Sequence, residues 1–158
     1  MTRPSPWKRR LQLGAGAAVA VLVAAQLVPY GRNHTNPPVV AEPAWDQPET
    51  RAMAVRACFD CHSNQTVWPW YTHVAPVSWL VQHDVDEGRQ MLNFSEWQRH
   101  HEEAGEAADE VLEQEMPPRI YLLPHPEARL LDSERQALAR GLSATVERSP
   151  PGRPAAAP

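Results

Sequence analysis

Cys58-Phe59-Asp60-Cys61-His62 decides the reading of this chain. The stretch has the pattern C-x-x-C-H, the attachment site of a c-type haem. Each fixed residue has a chemical task. The two thiols add across the two vinyl groups of a porphyrin and form thioethers. His62 is then held under the ring, where an imidazole nitrogen can ligate the iron. On a helix, Cys58 and Cys61 are three apart and share one face, with His62 beside them. The chain has two cysteines in all, so no second pair competes for these thiols. A thioredoxin-like redox pair would need a βαβ pattern nearby. A zinc site would need about four ligands, and no second C-x-x-C or H-x3-5-H stands at finger spacing.

At 158 residues the chain has room for one small domain and its appendages. Residues 1–10 hold Arg3, Lys8, Arg9 and Arg10 and no acid, and 11–28 then run without a charge. This is the pattern of an export signal or signal anchor. Val23-Ala24-Ala25 offers a cleavage site, but the run continues through Leu27 and Val28. Its length favours an uncleaved transmembrane helix. The basic flank would stay inside, giving a single-pass inner-membrane protein with its haem domain in the periplasm. All 19 acidic residues lie beyond Arg32 against ten arginines, a balance of −9 over 33–158. That argues against nucleic acid as a partner.

The expected layout is a signal anchor over 1–30, a Pro-rich linker over 31–48, a c-type haem-binding domain over 49–148 and a disordered tail over 149–158. Within the domain the pattern is helical. One helix, opened by Asp46 with Glu49, leads into Cys58. A second covers 76–89. A third is capped by Ser95 with Gln98 and runs through the acidic stretch to Glu115. A fourth is opened by Ser133 with Gln136. No stretch shows strand alternation. The fold class is therefore all-α: a small cytochrome c-like helical domain around one haem, preceded by one N-terminal transmembrane helix.

Further motifs follow in order: Pro29-Tyr30-Gly31-Arg32-Asn33-His34 before the haem motif, and Trp68-Pro69-Trp70-Tyr71, Ala75-Pro76-Val77-Ser78-Trp79, Asn93-Phe94-Ser95-Glu96-Trp97 and Met116-Pro117-Pro118 after it. Together they resemble the bacterial haem-binding domain family of membrane-anchored, exported c-type haem proteins, over about residues 28–142. The resemblance implies one covalent haem c, attached by the cytochrome c maturation machinery. It supplies no substrate. Gly141-Leu142 stands where an aromatic is expected.

Met116 is the candidate sixth ligand of the iron. Two prolines stiffen the segment behind it, and a thioether is a soft ligand for iron. The segment resembles the distal loop of small cytochromes c. Of the remaining histidines, His125 ranks ahead of His73, His83, His100 and His101. Trp68, Trp70, Tyr71, Trp79 and Trp97 are candidates for the wall of the crevice. Arg89 or Arg119 could pair with a haem propionate. The favoured function is electron transfer with redox partner proteins and no enzymatic activity of its own. The alternative is a peroxidase-like haem enzyme or a gas or redox sensor, and a haem-delivery factor is a weaker third.

Overall fold

The computed structural model describes residues 5–152; residues 1–4 and most of the expected tail, 153–158, lie outside it. The described chain is all-helical. Its helices are α1 (Pro6–Ala25), α2 (Pro48–Ala57), α3 (Phe59–His62), α4 (Val77–Met91), α5 (Ala107–Leu112) and α6 (Asp132–Arg148), with three short 3-10 turns between them. The β pairing among the described residues amounts to a single bridge between Ala41 and Glu96.

The expected transmembrane helix is not borne out. α1 has 20 residues, yet among the described residues no helix is long and apolar enough to cross a membrane. The reason lies in where α1 starts and stops. Its first turns take in Lys8, Arg9 and Arg10, and it ends at Ala25, so Leu27 and Val28 fall outside it. The stretch between, 11–25, is mostly alanine and glycine. It measures about 22 Å at ~1.5 Å per residue, against a hydrocarbon core of ~30 Å. The single-pass inner-membrane topology falls with the helix that was to carry it.

The chain packs as two units. One comprises 5–34 and 68–83; the other comprises 35–67 and 84–152. In the first, Gln26 and Ala75 exchange two hydrogen bonds, Nε2 to O at 2.9 Å and N to Oε1 at 3.0 Å. Gly31 has φ +75°, and a Cβ on it would overlap the carbonyl oxygen of Ser78. His34 stacks on Trp68 with ring centroids 4.4 Å apart and donates from Nε2 to Thr72 O at 3.0 Å.

The second unit holds the larger core. Ala54, Phe59, Phe94, Trp97, Val111, Leu138 and Leu142 are at its centre. α2 and α5 both pack on α6. Gly141 is what lets α6 approach α2: a Cβ there would run into Thr50, whose own Cβ would lie 2.9 Å away. An aromatic at this position has no room, which explains the departure noted in the sequence. The Pro-rich segment 35–48 runs extended along this unit. Val40 N and Ala41 N donate to Ser95 O, Glu42 pairs with Arg51 at 2.7 Å, and Trp45 packs against the core.

Helix boundaries differ from expectation for local reasons. α2 opens with Pro48, whose missing N–H costs nothing in the first turn. Ser95 opens no helix because its hydroxyl accepts a hydrogen bond from Asn64 N. α6 begins at Asp132, with Glu134 accepting from Leu131 N at 2.9 Å.

Candidate haem site

The motif residues form a single helical turn at the end of α2. Cys61 N and His62 N both donate to Cys58 O, at 3.2 and 2.9 Å. The turn sorts its side chains. Phe59 is buried at 3% exposure and stacks on Phe94 at 5.6 Å. Cys58, Cys61 and His62 are left to line a cavity of about 350 Å³ with Gly88, Met116 and Tyr121. A smaller cavity of about 170 Å³ shares Cys58, His62 and Met116 with it and adds Leu92, Phe94, Val111 and Leu142. Every residue lining either cavity belongs to the second unit.

His62 is held in one orientation by two carbonyls. Its Nδ1 lies 3.0 Å from Gly88 O and 3.1 Å from Leu92 O. Carbonyl oxygens only accept, so Nδ1 carries the proton and Nε2 keeps its lone pair. Burial holds the imidazole below its usual range, outweighing the two carbonyls that would raise it, so the ring is neutral near pH 7. The acceptors stand at the C-terminal end of α4, Gly88 in its last turn and Leu92 just beyond it, and Gly88 O also accepts from Leu92 N at 3.0 Å. A hydrogen bond at the far ring nitrogen is also how metal-ligating histidines are generally oriented.

The two thiols are unpaired with each other. Burial pushes both up to about 12, and for Cys61 the nearby Asp84 and Asp60 add to it. Reactive redox cysteines have thiols shifted the other way. The place of the pair beside the His62 imidazole on a largely apolar wall fits a haem. Among the described residues no cluster of three or more His, Cys, Asp or Glu side chains could hold a bare metal ion.

Gly88 brings α4 against the motif. A Cβ at this position would lie 2.7 Å from Cys61 O and 2.9 Å from Cys61 Cβ. Gly88→Ala should therefore force α4 away from the turn at a cost of about 1–3 kcal/mol. The expected result is a lower thermal midpoint and poorer haem retention, read by calorimetry and by the haem-to-protein absorbance ratio.

The other motifs serve as clamps. Asn93 Nδ2 donates to Asn64 Oδ1 at 2.9 Å, Asn64 Nδ2 donates to Glu96 Oε1 at 3.1 Å, and Phe94 N donates to His62 O at 2.8 Å. The Asn-Phe-Ser-Glu-Trp segment thus fixes the chain leaving His62. Arg89 acts from the same side. Its guanidinium donates to Ser63 O, Thr35 O, Asn36 Oδ1 and Thr66 Oγ1, all between 2.8 and 3.0 Å, and it lines neither cavity. Trp97 is a core residue. Trp68, Trp70 and Tyr71 belong to the first unit, with Trp70 78% exposed. Met116 is the distant residue that the structure does bring to the cavity of Cys58 and His62.

Two residues to which the sequence analysis assigned no role complete the site. Asp60, inside the motif, accepts from Val67 N at 2.9 Å and from the Tyr121 hydroxyl at 2.7 Å. Burial and the Asp60 carboxylate push the Tyr121 phenol upward, so it stays a donor. Tyr121 lies five residues beyond Met116, and this bond ties the Met116 segment to the motif turn. His125 stacks on Tyr121 at 4.1 Å and bonds its carbonyl through Nδ1 at 3.0 Å, bracing the tyrosine.

No curated protein and no solved structure matches the chain significantly. A family model described as a haem-binding domain matches residues 20–144. That span takes in the motif turn, the clamps and Met116, and the chain belongs to the haem-binding domain family.

Proposed function

We propose that the chain carries one haem c, bound through thioethers at Cys58 and Cys61, and that it transfers electrons. The observation that supports this most directly is the state of His62: a neutral ring, Nδ1 anchored on two carbonyls and Nε2 bare, on the same wall as two protonated thiols. Met116 is the sixth ligand in this reading. A haem held there supplies one-electron chemistry at iron. The protein's part is to hold the ring, orient His62 through the end of α4 and keep Met116 in place through Asp60 and Tyr121. One haem carries one electron, so redox partners before and after it are implied, as is the cytochrome c maturation machinery that attaches the group.

Extraction with acidified acetone tests the covalent bonds. From chain produced with a c-type maturation system, the haem should stay with the precipitated protein. From a Cys58→Ala/Cys61→Ala variant it should pass entirely into the solvent. Haem leaving the wild type would sink the c-type reading. A ferrous wild type that binds carbon monoxide at once would favour an enzyme or sensor over electron transfer.

A further inference from the structure

The charges around the site are segregated. The two cavities beside His62 have six carboxylates on their walls, Asp60, Asp84, Glu87, Glu103, Glu106 and Glu110, and no lysine or arginine. A third cavity, of about 360 Å³, meets them at Met116 and Pro117 and has the opposite sign. Arg119, Arg129 and Arg135 line it, with no acidic residue. The three guanidiniums bond little to the protein. Arg135 pairs with the exposed Asp132 at 2.5 Å and reaches Leu130 O at 3.3 Å, and Arg129 reaches Leu122 O at 3.4 Å. Three cations around one cavity repel one another unless an anion lies among them. The guanidinium fork is the group best shaped to hold a carboxylate or other oxyanion.

We propose that Arg119, Arg129 and Arg135 form an oxyanion-binding pocket, and that it takes a propionate of the neighbouring haem. Any haem brings two carboxylates. The acidic and basic side chains on the walls beside His62 are all carboxylates. The cation-lined space that shares Met116 and Pro117 is where they find partners. The inference rests on haem binding, and on neither the thioethers nor Met116 as ligand. It gives the Met116 segment a second fastening: Arg119 lies three residues beyond Met116, so an Arg119–propionate pair would hold that segment to the ring.

The test is redox titration of the holoprotein across neutral pH, with and without inorganic phosphate, for wild type, Arg119→Gln and the triple Arg→Gln variant. Removing cations near the iron disfavours the ferrous state. At a fixed applied potential the triple variant should hold about ten-fold less ferrous relative to ferric haem. A propionate freed from its arginines titrates at higher pH, so the variant's potential should fall as pH rises through that range, where the wild type stays flat. Arg119 is exposed, so its single variant shows part of the shift without a risk to folding. A response to phosphate in the wild type, absent from the triple variant, would keep the pocket and assign it to a free oxyanion. A triple variant with wild-type potential, pH profile and phosphate response would overturn the proposal. If the wild type takes up no haem, the haem reading fails first. The pocket is then judged by whether phosphate raises the thermal midpoint of the wild type and not of the triple variant.

Discussion

Changing His62 to alanine should alter the absorption spectrum of the holoprotein, ferric and ferrous, more than changing any of the other six histidines. The expectation follows from position and protonation together. His62 is the histidine that lines a cavity with both cysteines, and its Nε2 is the nitrogen left without a proton. His34 is stacked on Trp68, His125 on Tyr121, and His101 bonds Glu96 O through Nε2. Thioethers do not depend on the imidazole, so the variant should keep its haem through acidified acetone while losing the spectrum of a ligated iron. That separation distinguishes a lost ligand from a lost fold. Leu92 O would also lose the His62 donor, at about 1–3 kcal/mol, whereas Gly88 O keeps the bond from Leu92 N. His62→Ala with an unchanged spectrum would remove His62 as the ligand.

The haem motif and the helical fold were legible because each rests on local pattern. Cys58, Cys61 and His62 need only their spacing, and α4 and α6 show in apolar periodicity. What was not legible depends on contacts between distant residues. Nothing in the spacing of Arg89 announces that its guanidinium closes on Ser63, Thr66, Thr35 and Asn36. The same holds for Asn93 and Asn64, a buried polar pair that looks in sequence like two loop residues. Ser95 and Gln98 matched a capping pattern, but a hydroxyl already bonded to Asn64 N is no cap. The misread N-terminus has a different cause. Charge-free length was visible, whereas the stop of α1 at Ala25 was not. Asp60 carried a usable signal: a carboxylate between the two cysteines needs partners, and Tyr121 supplies one.

Met116→Ala should open the haem to external ligands and lower its potential. The argument begins with where Met116 sits. It borders all three cavities and packs partly against the core beside Val111 and Leu142. The chain before it is fixed by Met116 N donating to Glu110 O at 3.1 Å. The chain after it is held by Pro117, Pro118 and the Tyr121–Asp60 bond, so little loop entropy remains to be lost on ligation. A thioether favours ferrous over ferric iron, and axial ligation moves haem potentials over a range of ~0.8 V. The ferric wild type should therefore show the weak far-red band of sulfur-to-iron ligation. In Met116→Ala that band should vanish, cyanide and carbon monoxide should bind at once, and the potential should fall. Tyr121→Phe keeps the ring but cuts the tie to Asp60. It should weaken the band and speed cyanide binding without abolishing either the band or the ligation. A Met116→Ala variant with the ferric spectrum of the wild type would mean that the thioether only fills the core, and the sixth position would pass to a histidine, with His125 the first to change.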